Sequence, residues 1–249
     1  MANEKNEETN LAQDSFEELR YIFKWSLTNR DYRAGDLCLV GGCAVHSFNP
    51  WKYSLDITFL ATGRFKDLLK KELYVHRGFK KERDTTGNNI FLKPLDSGDI
   101  YLDFVPKRDK FHGTEKTLNL MEFKYEITSH NISYSFGPLF EVIVPEISML
   151  LILKLKAAWD RYFDLSSENI YDKSYLNEKF TKDCGDIIAL LKSDSFKVAR
   201  FELLSLVISR YDFLIEFLKQ GIIEKNSALE RTTLKDSKAL IKKLLSLIL

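Results

Sequence analysis

The chain is predicted to be an α+β protein, with a mixed sheet and flanking helices in its first part and a helical bundle in its last. Three observations predict this. Short apolar runs at 36–40, 54–60, 88–94, 99–105 and 140–144 are bounded by Gly, Pro, Asn and Asp, as strands are. From Glu146 onward those signals stop, and apolar residues recur with the 3.6-residue period of amphipathic helices. The 249 residues, 45% hydrophobic and 29% charged, suffice for one large domain or two small ones. The expected division is a disordered tail over 1–12, an α/β domain over 13–145 and a helical domain over 146–249.

In chain order, Ser15-Phe16-Glu17-Glu18 has the S-x-x-E spacing of a capping box, and Phe16, Leu19, Ile22, Phe23 and Leu27 form the apolar face of a first helix. Asp36 to Val40 is a strand, Gly42 to Phe48 a short helix and Ser54 to Leu60 a second strand. Gly63 to Tyr74 is a basic helix that buries Phe65, Leu68, Leu69 and Leu73. Asn88 to Pro94 and Asp99 to Val105 flank the turn formers Leu95-Asp96-Ser97-Gly98 and read as adjacent antiparallel strands. Phe123 to Thr128, Asn131 to Phe136 and Phe140 to Val144 are expected to extend that sheet, with Gly137-Pro138 as a turn.

Pro145 then fits a helix start. Ile147, Leu150, Leu151, Lys154, Ala158 and Arg161 fall on one stripe; Phe180, Asp183, Ile187 and Leu190 share a face of a second helix over Asn177 to Lys192. The charges on these apolar faces either snorkel to water or meet a partner, and Asp183 is the partner expected for Lys154. Helices over Phe196 to Ser209, Tyr211 to Gln220 and Leu234 to Leu249 complete the bundle and carry no evident chemistry.

Composition narrows the function classes. No run of about 18 apolar residues occurs, and Met1 to Asn10 is polar and acidic, so no membrane span or signal peptide is expected. Cys38, Cys43 and Cys184 are odd in number and lack C-x-x-C spacing, which suggests neither a disulfide framework nor a zinc site, and a cytoplasmic location. Net charge is only +1. Yet residues 64–83 carry eight Lys and Arg against three acids, which serves either a solvated helix face or a polyphosphate or RNA ligand. His46, His76, His112 and His130 show no metal-ligand spacing.

The chemistry concentrates between residues 39 and 60. Gly41-Gly42 follows a strand and opens a helix, so backbone can approach a ligand closely and N–H groups face it, which favours a phosphate. In the following strand Ser54, Asp56 and Thr58 are expected to share one face. Asp103, within Tyr101-Leu102-Asp103-Phe104-Val105, offers a further carboxylate. Asp99 is its rival, but about 13 Å of strand separates them, so both can hardly serve one metal cluster. Trp51 and Tyr53, just before Asp56, are placed either to stack on a base or to cover the edge of a core.

Gly41-Gly42 and Asp56-Ile57-Thr58-Phe59, 13 residues apart, resemble the signature of the DNA polymerase beta-like nucleotidyltransferase superfamily: Gly, then Gly or Ser, a gap, and Asp-hydrophobic-Asp/Glu-hydrophobic. Thr58 departs from the second acidic position. Lys182-Asp183-Cys184-Gly185-Asp186-Ile187 is similar to the R/K-D-x-x-D-hydrophobic stretch of AbiEii-type toxins and related minimal nucleotidyltransferases, where a lysine on the preceding helix, here Lys154, also recurs.

The resemblance implies a nucleotidyltransferase-like α/β domain, a helical domain and an active cleft between them. It implies transfer of a nucleoside monophosphate from an NTP, with Mg²⁺ or Mn²⁺, to RNA such as tRNA, a protein or a small molecule, and an antitoxin as partner. Asp56 and Asp103 would be metal-binding carboxylates, Lys154 and Asp183 further catalytic residues, and Gly41, Gly42, Ser54 and Thr58 nucleotide-binding. Thr58 offers a metal a neutral oxygen and no negative charge. Two classes follow: an active metal-dependent transferase, or a degenerate member that keeps the fold as a nucleotide- or RNA-binding or regulatory module.

Overall fold

The computed structural model describes residues 2–83, 89–106, 108–120, 127–133, 137–167, 172–229 and 232–249. The chain forms two compact units, one from Met1–Lys107 and Leu120–Pro145, the other from Arg108–Asn119 and Glu146–Leu249. Residues 108–119, expected in the α/β domain, thus belong with the helices.

The first unit begins with α1 (Ala2–Thr28), followed by β1 (Leu37–Val40), α2 (Gly41–Phe48), β2 (Ile57–Ala61), α3 (Gly63–His76), β3 (Lys80–Arg83), β4 (Asn89–Leu95) and β5 (Gly98–Phe104). The five strands form one sheet in the order β1-β2-β5-β4-β3. The sheet is mixed: β2 and β5 run parallel, and every other pairing is antiparallel. A parallel pair needs a long crossover, which α3, β3 and β4 supply. Phe59 lies beside Phe104 in register, and both point to the face covered by helices, where Phe23 of α1 meets Phe59 edge-on and Lys66 of α3 sits 4.8 Å above the Phe104 ring.

The tail expected over 1–12 is helical from Ala2 onward. No Gly or Pro interrupts Ala2–Thr28, so local propensity does not stop the helix short of Ser15. Ser15 and Glu18 therefore do not form a capping box. Ser15, fully buried inside α1, donates to the Leu55 carbonyl at 3.0 Å. Glu18 receives two hydrogen bonds from Arg77, at 2.7 and 3.1 Å, and a third from Lys93. That cluster ties α1 to the end of α3 and to β4.

β6 (Arg108–Lys110) and β7 (Thr117–Asn119) form a hairpin of the second unit; β8 (Ile127–Ile132) and β9 (Phe140–Pro145) return to the first. The β8–β9 hairpin is a sheet of its own and does not continue the five-stranded one, contrary to expectation. β9 packs beside β1 without joining its ladder, burying Val142 and Val144 completely. Alternation tells which side chains are buried, not which strand is the neighbour. The expected strand residues 123–126 and 134–136 lie outside the described residues.

The second unit comprises the β6–β7 hairpin, α4 (Ile147–Leu165), α5 (Lys173–Lys192), a 3-10 turn at Asp194–Val198, α6 (Phe201–Ile208), α7 (Asp212–Lys219), α8 (Ile222–Lys225) and α9 (Leu234–Ile248). Pro145 ends β9, and Glu146 caps α4 by accepting from Ser148 N at 2.9 Å. Thr233 and Asp236 close a true capping box at α9.

The hairpin is bolted onto α4. The His112 amide donates to Asp160 at 3.0 Å, Trp159 donates to the His112 carbonyl at 3.0 Å, and Lys156, 4% exposed, pairs with Asp109 at 2.7 Å. Gly113 is required at the tip: its φ is +69°, and a Cβ there would run into the Phe163 ring.

Candidate functional site

Strand register assembles one corner of the first unit. β1 and β2 pair Val40 with Thr58, so Gly41, the next residue, emerges beside the start of β2. Gly41 has φ +71°, and a Cβ on it would lie 3.2 Å from Thr58 Oγ1. Any other residue there meets both a left-handed backbone and a crowded neighbour. Gly41→Ala is expected to lower stability by about 1–2 kcal/mol, read from the urea midpoint; a change near zero would mean that the turn relaxes freely.

The parallel pairing of β2 with β5 sets Thr58 directly against Asp103. Their side chains share the face away from Phe59 and Phe104. Asp99 pairs with Pro94 near the β4–β5 turn, beyond the segment that β2 reaches. Asp103 is therefore the β5 carboxylate that stands next to the Gly41–Thr58 corner. It is exposed, and its Oδ1 accepts from Phe104 N at 2.6 Å.

Asp56 sits at the entry of β2, which starts at Ile57, so the strand face expected to carry Ser54, Asp56 and Thr58 carries only Thr58 as a strand residue. Ser54 is buried at 3% exposure and donates to the Asp56 carbonyl at 3.3 Å. It holds the backbone of Asp56. Cys43, in the first turn of α2, contributes its thiol to the Ser54 and Asp56 carbonyls at 3.5 and 3.4 Å.

Two further pins hold the segment between α2 and β2: His46, which was not evident from the sequence, and Tyr53, for which covering a core edge was one of the two expectations. His46 lies one turn after Cys43, with Nδ1 3.4 Å from the Lys52 carbonyl and Nε2 3.3 Å from the Ser133 carbonyl. Tyr53 lays its ring 5.0 Å from His46 and 6.1 Å from Phe16, so it covers the core edge. The signal was the i, i+3 spacing of Cys43 and His46 on a helix too short to need both faces apolar.

Thr58 and Asp103 are paired strand positions and Asp56 lies two residues before Thr58; all three are hard oxygen donors, of the kind that suits a cation such as Mg²⁺. They do not supply a third carboxylate, and among the described residues no group of three His, Cys, Asp or Glu is placed to hold a metal ion.

The other two expected site residues lie in the helical unit and do meet. Lys154 of α4, 6% exposed, pairs with Asp183 at 3.0 Å and Asp186 at 2.6 Å, and Arg161 closes on Asp183. The sequence paired Lys154 with Asp183; Asp186 and Arg161 join them because positions 183 and 186, and 154 and 161, recur on single helix faces. An open groove of about 530 Å³, lined by the β6–β7 hairpin with Phe163 and Asp164, contains none of the candidate residues. No known protein family's sequence profile matches this chain, and no curated protein matches it.

Proposed function

We propose that the first unit binds a nucleoside triphosphate and transfers its nucleoside monophosphate to an acceptor hydroxyl on an RNA, a protein or a small molecule. One observation carries this: register places Thr58 against Asp103 and backs Gly41 onto Thr58, with Asp56 at the mouth of the same strand. In transfer, the acceptor oxygen bonds to the α-phosphorus as the bond to the β-phosphate oxygen breaks, pyrophosphate leaves, and the hydroxyl proton passes to solvent. Asp56 and Asp103 would hold Mg²⁺ or Mn²⁺, which when bound offsets phosphate charge and lowers the pKa of the attacking hydroxyl.

The chain's own residues do the rest. Gly41 permits close approach, and the N–H groups opening α2, where no side chain caps the helix, are suited to the β and γ phosphates. Cys43 and Ser54 fix the Asp56 carbonyl and so aim its carboxylate. Lys154 and Asp183 neutralise each other within the buried helical network and serve the stability of that unit.

A second reading is favoured by one residue. Thr58 brings no charge to a corner where a carboxylate would strengthen cation binding, as in a protein that keeps nucleotide or RNA binding and has lost transfer. Label transfer from each α-labelled NTP to total RNA or to the protein itself, with Mg²⁺ or Mn²⁺, separates the two. The active enzyme is expected to lose at least about 100-fold in Asp56→Ala and in Asp103→Ala, because each substitution removes a carboxylate that would hold the cation offsetting the phosphate charge. Silence from the wild type with transfer by Thr58→Asp would establish the second reading; silence from both would reject a transferase.

A further inference from the structure

His46 is held in a way that a neutral imidazole cannot fully satisfy. Both ring nitrogens face carbonyl oxygens, Lys52 on the segment leading to Asp56 and Ser133 just after β8. A neutral ring carries one N–H, so it donates to one carbonyl and turns a lone pair towards the other; an imidazolium donates to both. Protonation thus raises the hydrogen bonds made by the ring from one to two and completes a bridge from Lys52 through the ring to Ser133.

We propose that His46 is a positioning residue, a proton-operated latch whose ring makes one of its two hydrogen bonds when neutral and both when protonated, so that only the protonated ring ties residues 49–56 to the end of β8 and tightens the placement of Asp56 as pH falls.

The surroundings suit such a latch. Phe16 from α1 meets the ring edge-on at 5.3 Å and Tyr53 lies against it, so the ring keeps its place in either state. Of the groups touching it, Tyr53 carries a titratable side chain. Lys52 contributes its carbonyl, while His130 of β8 turns to the Ser47 carbonyl and the Phe48 ring. Burial disfavours the imidazolium by more than the two carbonyls return, so His46 titrates below the ordinary histidine range. Cys43 pins the far end of the same segment through its thiol, at the Ser54 and Asp56 carbonyls.

The importance of Asp56 here rests on the transferase reading, but the test does not. Imidazole ¹⁵N shifts between pH 4 and 8, with the His46 signals assigned by their loss in His46→Phe, report how many ring nitrogens carry protons. Hydrogen exchange of residues 49–56, corrected for intrinsic rates, reports the hold. We expect one protonated nitrogen at neutral pH, two in acid, and protection that rises about two- to tenfold through the same titration, the weight of one added hydrogen bond. Protection in His46→Phe should not vary with pH. If that variant does not fold, His46→Gln, with an amide that does not titrate, should behave likewise.

The latch is overturned if protection is flat through the His46 titration, if wild type and variant share one pH course, or if His46 does not titrate. A protein with the coupled titration but no label transfer would keep the latch and lose only the transferase.

Discussion

Lys154→Met is expected to destabilise the helical unit by about 3–5 kcal/mol, the cost of breaking a buried ion pair by removing one partner. The lysine is the shared counter-ion of Asp183 and Asp186, whose side chains are 6% and 2% exposed. Without it Asp183 keeps Arg161, while Asp186 loses a buried contact at 2.6 Å. Methionine fills most of the same volume, so the loss reports charge rather than a cavity. Arg161→Met should cost clearly less, since that side chain is 31% exposed and water can replace it. Urea unfolding followed by far-UV circular dichroism measures both; with slopes of about 1–3 kcal/mol per molar urea, the first loss moves the midpoint by more than 1 M. Equal, small shifts would show that the network is a surface-like pairing without structural weight.

Glu18→Ala is expected to cost about 3 kcal/mol in the first unit, near the lower end of the same range. The Glu18 side chain is 5% exposed and takes a paired contact from Arg77, while Lys93 meets the same carboxylate. Removing it leaves two cations side by side, at 29% and 18% exposure, so water recovers part of the loss. The Arg77 guanidinium also stacks on the Tyr21 ring at 4.1 Å and keeps that contact. Glu18→Gln retains an acceptor for Arg77 and should fall between wild type and alanine. If glutamine proved as costly as alanine, charge would carry the whole effect; if both were neutral, α1 would be held by its apolar face alone.

The Glu18 network, unlike the glycine pair, left little trace in the chain order. Glu18, Arg77 and Lys93 are separated by 59 and 16 positions and each reads as an ordinary surface charge. Ser15 and Glu18 even mimic a capping box, because the S-x-x-E spacing that caps a helix start equally places two residues on one helix face. Lys154 and Asp183 were legible because each is a charge on an otherwise apolar stripe, an inconsistency that calls for a partner.

By itself the sequence determined the α+β class, the β4–β5 hairpin, the helical second part, the glycine turn before α2, and the pairing of Lys154 with Asp183. All of these follow from short-range periodicity, turn chemistry or a charge in an apolar setting. Only the tertiary structure decided that Asp103 and not Asp99 stands beside Thr58, that Ser54 is buried as a backbone pin, that β8 and β9 form their own sheet, and that residues 108–119 join the helices. Each of these depends on which strand or helix becomes the neighbour. Alternation and helical period fix the face a side chain occupies, but strand partners and register are chosen by packing between segments far apart in the chain.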